Sequence, residues 1–251
     1  MLRGQCRSGG HRPAGHGHRG HFLDDGRERS GSLSELWSVR FERVSPVREF
    51  PTFRGQRNFP GSWWSQTTGG HVGYESWLQR DQVMLLDFDP GVVSVSSQPF
   101  WLSWSSAGGS RRHAPDFFAR LSDGTAVVMD VCADDRVKPV TAEVLAFTVQ
   151  ACESVGWSYR RVGAVDAVLA ANVRWLAGYR HHRCFHPDRA ARLRAVFASP
   201  RKLSEGIAAA GERLEFLPVL FHLLWTGVLV CDVAGSPLGS AAMVSAAEPL
   251  G

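Results

Sequence analysis

Arg111-Arg112-His113-Ala114-Pro115-Asp116-Phe117-Phe118-Ala119-Arg120-Leu121-Ser122-Asp123-Gly124-Thr125-Ala126-Val127-Val128-Met129-Asp130-Val131-Cys132 is the stretch on which the reading of this chain turns. It reads as two short strands joined by a tight turn. Phe117, Phe118 and Leu121 supply strand-type bulk before the turn, and Val127, Val128, Met129 and Val131 supply it after. Asp123-Gly124 is the hairpin signal, because glycine takes positive φ at no steric cost. Antiparallel pairing then carries Asp116, at the start of one strand, and Asp130, near the end of the other, to the same end of the sheet. Two carboxylates fixed side by side repel, and either a divalent cation or a shared proton offsets the repulsion.

The chain around this hairpin has 251 residues, 44% of them hydrophobic, which suffices for one large domain or two modest ones. A formal charge of +4 is a mild basic bias, compatible with nucleic acid without demanding it. Five cysteines at irregular spacing point away from a disulfide framework or a zinc ribbon and towards a reducing, cytoplasmic setting. No apolar run reaches the ~18 residues of a membrane span, and the N-terminus lacks the apolar region of a signal peptide.

Outward from the hairpin, residues 1–38 are rich in Gly, Arg, His and Ser. They read as a disordered arm, or as a segment ahead of the true start, in preference to a metal tract built on His11, His16, His18 and His21. Val39–Val44 alternates as a short strand. Residues 45–70 read as an irregular lead-in, with Arg48, Arg54 and Arg57 among Phe50, Phe53 and Phe59. Tyr74, Trp77, Leu78 and Leu85 recur at helical spacing, which predicts a helix over Gly70–Leu86 with Glu75 beside its buried face. A carboxylate there needs a partner, and Arg80 or Arg111 is the simplest one. Val92–Trp104 has a strand pattern, Thr141–Gly156 a helical one, and Trp157–Val162 is a further strand. Residues 39–165 therefore form a mixed α/β unit. Residues 166–251 change character: a short helix over Asn172–Tyr179, helices near 187–198, 202–210 and 212–226, then strands at Val228–Val233 and Ala241–Ser245. Three helices and a β ribbon is the order of a winged helix. Its third helix is too apolar to read bases, which favours a protein-docking or structural winged helix over a sequence reader. His181-His182-Arg183-Cys184-Phe185-His186 has neither helical i, i+4 ligand spacing nor a complete knuckle, so a zinc site is not expected.

If Glu75, Asp116 and Asp130 converge, hard oxygen ligands at that density suit Mg²⁺ or Mn²⁺. Such an ion polarises a scissile phosphate and acidifies an attacking water. Here the residues carry a resemblance. Glu75, then Pro115-Asp116, then Asp130-Val131-Cys132 after a strand is similar to the PD-(D/E)xK core of restriction-endonuclease-like nucleases. Four blocks in order resemble the TnsA-like endonuclease subunit of heteromeric transposases over about residues 39–235: His71-Val72-Gly73-Tyr74-Glu75-Ser76-Trp77-Leu78, Ser97-Gln98-Pro99-Phe100, His113-Ala114-Pro115-Asp116-Phe117 and Asn172-Val173-Arg174-Trp175-Leu176-Ala177-Gly178-Tyr179.

The resemblance implies a restriction-endonuclease-like mixed sheet flanked by helices, followed by a mostly helical winged-helix-like domain. It implies a Mg²⁺-dependent DNA endonuclease that cuts one strand at transposon ends, with Glu75, Asp116 and Asp130 as metal ligands. It also implies an RNase H-like transposase subunit and an ATPase regulator as partners, and no membrane. One position departs: Cys132 stands where the pattern has a lysine that steadies the attacking water and the phosphorus. A thiol supplies no fixed positive charge. Arg136, Lys138 or His113 can reach back towards the site, so Cys132 and Lys138 complete the candidate catalytic set. Loss of a lone transition-state cation typically costs ~10²–10³ in rate. The alternative reading is a nuclease-fold scaffold, weak or inactive, that binds DNA ends and docks its partners. A third is a DNA-binding regulator that acts through the C-terminal module.

Overall fold

The protein was described from a computed structural model covering residues 18–48, 50, 59–106, 109–133 and 139–248. Among these residues the chain is a mixed α/β structure with thirteen strands, seven α-helices and several sheets. No helix among them is long and apolar enough to cross a membrane. The positions Arg54, Arg57, Arg136, Lys138, His11 and His16 lie outside the described residues.

The central hairpin forms as its sequence dictates. β8 (Phe117–Leu121) and β9 (Ala126–Val131) pair antiparallel with Phe117 opposite Met129, and Gly124 turns between them at a φ of 84°. β5 (Val92–Ser97) pairs antiparallel with β8, and β10 (Ser158–Val162) pairs parallel with β9, giving the order β10-β9-β8-β5. Alternate residues face opposite cores. Phe118, Ala126 and Val128 join one apolar cluster, and Phe117, Ala119, Val127 and Met129 join the other. Burial on both faces is why the strands read as near-continuous apolar runs.

The first cluster is closed by α3 (Pro139–Glu153) and by a second antiparallel sheet. That sheet has the order β2-β1-β6-β7, from β1 (Arg19–Asp24), β2 (Arg27–Ser32), β6 (Trp101–Ser106) and β7 (Gly109–His113). Trp104 of β6 stacks on Phe147 of α3 with ring centroids 4.0 Å apart. Two expectations need correction here. The segment ahead of residue 38 is ordered from Arg19, because β1 gains a partner in β6 and buries Phe22; α1 (Leu33–Leu36) then buries Leu33. Val39–Val44 is not a strand: Phe41–Arg43 is a 3-10 turn. It drives Phe41 among Phe22, Phe100, Phe118 and Trp157, and edge-on ring packing outweighs the weak alternation.

The second cluster is closed by α2 (Trp77–Phe88) and the hairpin of β3 (Gly61–Ser65) with β4 (Gly70–Tyr74). The predicted helix over Gly70–Leu86 is thus a strand followed by a shorter helix. Ser76 fixes the boundary: its side chain accepts the Gln79 N–H as an N-cap, while residues 70–74 spend their main-chain bonds on β3. Part of the expected irregular lead-in, Trp63-Trp64, is β3 itself. Asp87 ties this hairpin to α2 by accepting from Trp63 Nε1, Ser65 Oγ and the Gln66 and Thr67 N–H groups.

α2 also faces a third cluster. Met84 packs among residues of α4 (Ala167–Ala177), α5 (Pro187–Val196), α6 (Leu203–Ala210) and α7 (Arg213–Trp225). From Val219 to Trp225, α7 is buried at every position, as a helix apolar on all sides must be. β11 (Arg201–Lys202), β12 (Leu229–Cys231) and β13 (Met243–Ala246) form a small sheet ordered β11-β13-β12. Buried Asn172 of α4 pins the loop after β12: its Nδ2 donates to the Val233 and Ser236 carbonyls, and its Oδ1 accepts from Leu238 N–H.

Candidate functional site

The register that pairs Phe117 with Met129 places Asp116 opposite Asp130. The Asp116 N–H donates to Asp130 Oδ1 at 3.3 Å, and the Val131 N–H donates to Asp116 Oδ2 at 2.7 Å. The two carboxylates are therefore fixed by each other's main chain, at the end of the sheet away from the Asp123-Gly124 turn.

Glu75 is not in a helix, as the spacing suggested. It lies in the link between β4 and α2, one residue before the cap. Gln79, one turn into α2, accepts the Glu75 N–H at 2.6 Å and donates its Nε2 to Asp116 Oδ1 at 2.8 Å. The Glu75 side chain is paired with Arg48 at 2.7 Å, not with Arg80 or Arg111. Arg80 instead pairs with Asp81 at 2.6 Å and lies over the Trp77 ring.

The remaining contacts surround Asp130. His113, at the end of β7, places Nε2 at 2.9 Å from both Asp130 oxygens, and the Tyr159 hydroxyl on β10 donates to Oδ2 at 2.9 Å. Burial drives the His113 imidazole towards neutrality, but the bond to Asp130 and the charges of Asp130 and Asp116 prevail, holding its pKa above the ordinary value. Arg48 opposes this last effect, so it too lies within electrostatic reach. Burial, then the Asp130 charge, pushes Asp116 up to about 7; the Val131 N–H and His113 pull it down, and Glu75 adds to the rise. Tyr159 is raised by its burial and by Asp130, and stays a hydroxyl donor.

Asp116 and Asp130 thus adjoin, and Glu75 is linked to Asp116 through Gln79. They do not form a ready ligand set: among the described residues, no three His, Cys, Asp or Glu side chains are grouped to hold a metal ion. Asp130 spends both oxygens on His113 and Tyr159, and Glu75 spends Oε2 on Arg48. The donor chemistry nonetheless fits a hard divalent cation, since all three are carboxylates and burial beside like charge leaves Asp116 short of a cation.

Cys132 follows β9, and its half-buried sulfur lies 3.5 Å from the Ala133 carbonyl. Arg161 Nη1 on β10 reaches the Cys132 carbonyl at 3.5 Å. Lys138 and Arg136, the other expected cations, fall outside the described residues. His181, from the His-rich run, accepts from the Arg183 N–H and closes a local turn.

Four site residues were not singled out as such from sequence: Arg48, Gln79, Tyr159 and Gln98. Gln98 is buried at a φ of 45°; its N–H donates to the Asp116 carbonyl and its carbonyl accepts from the Val47 N–H. A left-handed glutamine costs about 1–3 kcal/mol and persists only where surroundings over-determine it. Gln98-Pro99 gave no signal of it, because a residue before proline is biased to extended backbone at negative φ. A cavity of about 590 Å³, lined by residues of β1, β2, β6 and β7 with Val47, has Arg111 and Arg112 in its wall but none of Glu75, Asp116 or Asp130. Comparison with known proteins returned no matching family model and no matching curated protein.

Proposed function

We propose that the chain is a metal-dependent DNA endonuclease of the restriction-endonuclease-like class, acting as a TnsA-like subunit of a heteromeric transposase. The observation that carries this reading is the juxtaposition of Asp116 and Asp130 at one end of the sheet, with Gln79 linking the Glu75 main chain to the Asp116 carboxylate. The sheet order β10-β9-β8-β5, with α2 and α3 on opposite cores, supports the nuclease-like architecture. The β11-β13-β12 sheet beside α5, α6 and α7 supports a winged helix, and the burial of α7 in the chain's own core argues against base reading by that helix.

In this reading Glu75, Asp116 and Asp130 would hold Mg²⁺ or Mn²⁺, which polarises a phosphate and acidifies water when bound. The residues of the chain do the rest. The Tyr159 hydroxyl and His113 Nε2 fix the orientation of Asp130, and His113 keeps a proton beside it. Arg111 and Arg112 precede His113 on β7, and guanidinium groups suit phosphates. Main-chain bonds from Gln98 and Val131 hold Asp116 in register.

The test is nicking of supercoiled DNA with Mn²⁺ or Mg²⁺, by the chain alone and with a partner transposase. Asp116→Ala and Asp130→Ala are expected to abolish it; nicking unchanged in both variants removes the reading. A second reading, a scaffold that binds DNA ends without cutting, is favoured by one observation: both Asp130 oxygens are already satisfied and Cys132 supplies no cation. It expects metal-independent DNA binding with no cutting under any metal.

A further inference from the structure

Two residues beyond Glu75, at the first position of α2, Trp77 presents its ring to solvent: it is 51% exposed, and its neighbour Phe59 is 57% exposed. Their ring centroids are 5.8 Å apart, tilted by 33°. The Arg80 guanidinium lies 4.4 Å over the Trp77 ring. Asp81 holds Arg80 at 2.6 Å and Arg174 of α4 at 3.2 Å, so two guanidinium groups flank one carboxylate along the same ridge. Leaving large rings in water forfeits their burial, so such a pair beside a chemical site marks a contact surface. Its chemistry is specific: π faces for stacking, backed by positive charge in excess of negative.

We propose that Phe59 and Trp77 form a stacking platform for unpaired nucleotides of the DNA strand whose phosphate enters the acid cluster. The proposal rests on the nuclease reading for its place beside the reacting phosphate, and on the ridge itself for its ligand. Aromatic faces with interleaved arginine are how proteins hold single strands without regard to sequence, because every base has a π face and every linkage a negative charge. Apolar rings alone would suit many partners; the Arg80 and Arg174 guanidinium groups sharing the single Asp81 carboxylate leave positive charge beside them, which suits a polyanion. The reach also fits. Two residues of chain span at most about 7 Å, some two phosphate steps of a strand. The platform would therefore take bases within one or two nucleotides of the scissile bond.

The test is equilibrium binding, in EDTA, of a fluorescent single-stranded oligonucleotide and of a duplex with unpaired ends to the full chain. Trp77→Ala is expected to weaken both by about 5- to 150-fold, the usual worth of one stacked base. Trp77→Tyr, which keeps a π face, is expected to retain most of the affinity. Trp37→Ala is the control: Trp37 is 58% exposed but lies with Asp123 and Gly124 at the other end of the sheet, and its loss should change nothing. Thermal melts of each variant separate lost stacking from lost folding, and Trp77→Tyr with restored binding keeps the test decisive if the alanine variant unfolds. Wild-type affinity in a folded Trp77→Ala overturns the platform, even if Asp116-dependent nicking persists. Trp77-dependent binding without any cutting keeps the platform and removes the nuclease reading. Loss of self-association in Trp77→Ala with DNA affinity unchanged assigns the pair to a second copy of the chain and overturns the proposal.

Discussion

Replacing Asp116 by asparagine should remove a loss of stability that the wild-type protein suffers as pH rises. The carboxyl is held near 7 against an ordinary 3.8, with burial and the neighbouring Asp130 charge as the main causes. A raised acid has its charged form disfavoured in the folded state, so stability declines as pH climbs from the unfolded pKa to the folded one and is level above that. The whole effect is about 4 kcal/mol, at ~1.36 kcal/mol per pH unit of displacement. About 3 kcal/mol of it falls between pH 5 and pH 8. His113 acts in the same direction: its raised pKa favours folding below about 6.5, and that contribution is lost as pH rises through the folded value. The amide of Asp116→Asn mimics the neutral acid in shape and cannot ionise. Urea unfolding in EDTA at pH 5 and pH 8 is the assay. The advantage of the variant over wild type should grow by roughly 3 kcal/mol between the two. An advantage that does not change with pH, or a wild-type protein that gains stability from pH 5 to pH 8, would refute the crowding of charge around Asp116.

Two further outcomes are open to direct measurement. Cys132→Lys restores a cation on the face of β9 that carries Asp130, since positions 130 and 132 share a face; metal-dependent nicking should rise by up to ~10²–10³. No gain, with Asp116-dependent nicking intact, would show that charge arrives from elsewhere. Asp87→Ala strips the acceptor from Trp63, Ser65, Gln66 and Thr67 at once and should cost about 3–5 kcal/mol, lowering the melting temperature by roughly 6–15 °C; a shift under ~2 °C would mean the β3–β4 hairpin is held by its packing instead.

The parts of the fold legible in the sequence are those fixed by local chemistry. The β8–β9 hairpin was readable because Asp123-Gly124 sets the turn and the flanking bulk sets the strands. The apolar character of α7 was readable because its stretch from Val219 to Trp225, buried at every position, has no polar face to misplace. The failures have a common cause: pairing partners distant in sequence. Residues 70–74 carry Tyr74 at a spacing that suits the helix beyond, and only β3 across the hairpin makes them a strand. Ser76 was the missed signal, a cap residue with Gln79 three positions on. The β1–β2 hairpin looks like solvated Gly/Arg/Ser sequence because its order derives from β6, more than sixty residues away. Its turn was nevertheless written locally as Asp25-Gly26, both at positive φ, the geometry of a tight hairpin. At the site, the acids were legible as acids, whereas Arg48, Gln79 and Tyr159 are ordinary residues until the fold places them.

That placement explains which acid yields. Glu75, Asp116 and Asp130 bring three negative charges, and Arg48 and a protonated His113 return two. One negative charge is left over. Asp130 is secured by His113 and Tyr159, and Glu75 by a guanidinium, so the surplus falls on Asp116, which has only an amide and a main-chain N–H. A lysine at position 132 would cancel the remainder without any cation from solution, and this chain has a sulfur there instead. The deficit must then be met by a proton or by a divalent ion, the two answers that paired carboxylates allow. Activity in this site should consequently depend more steeply on metal concentration and pH than in a site that carries its own fixed cation.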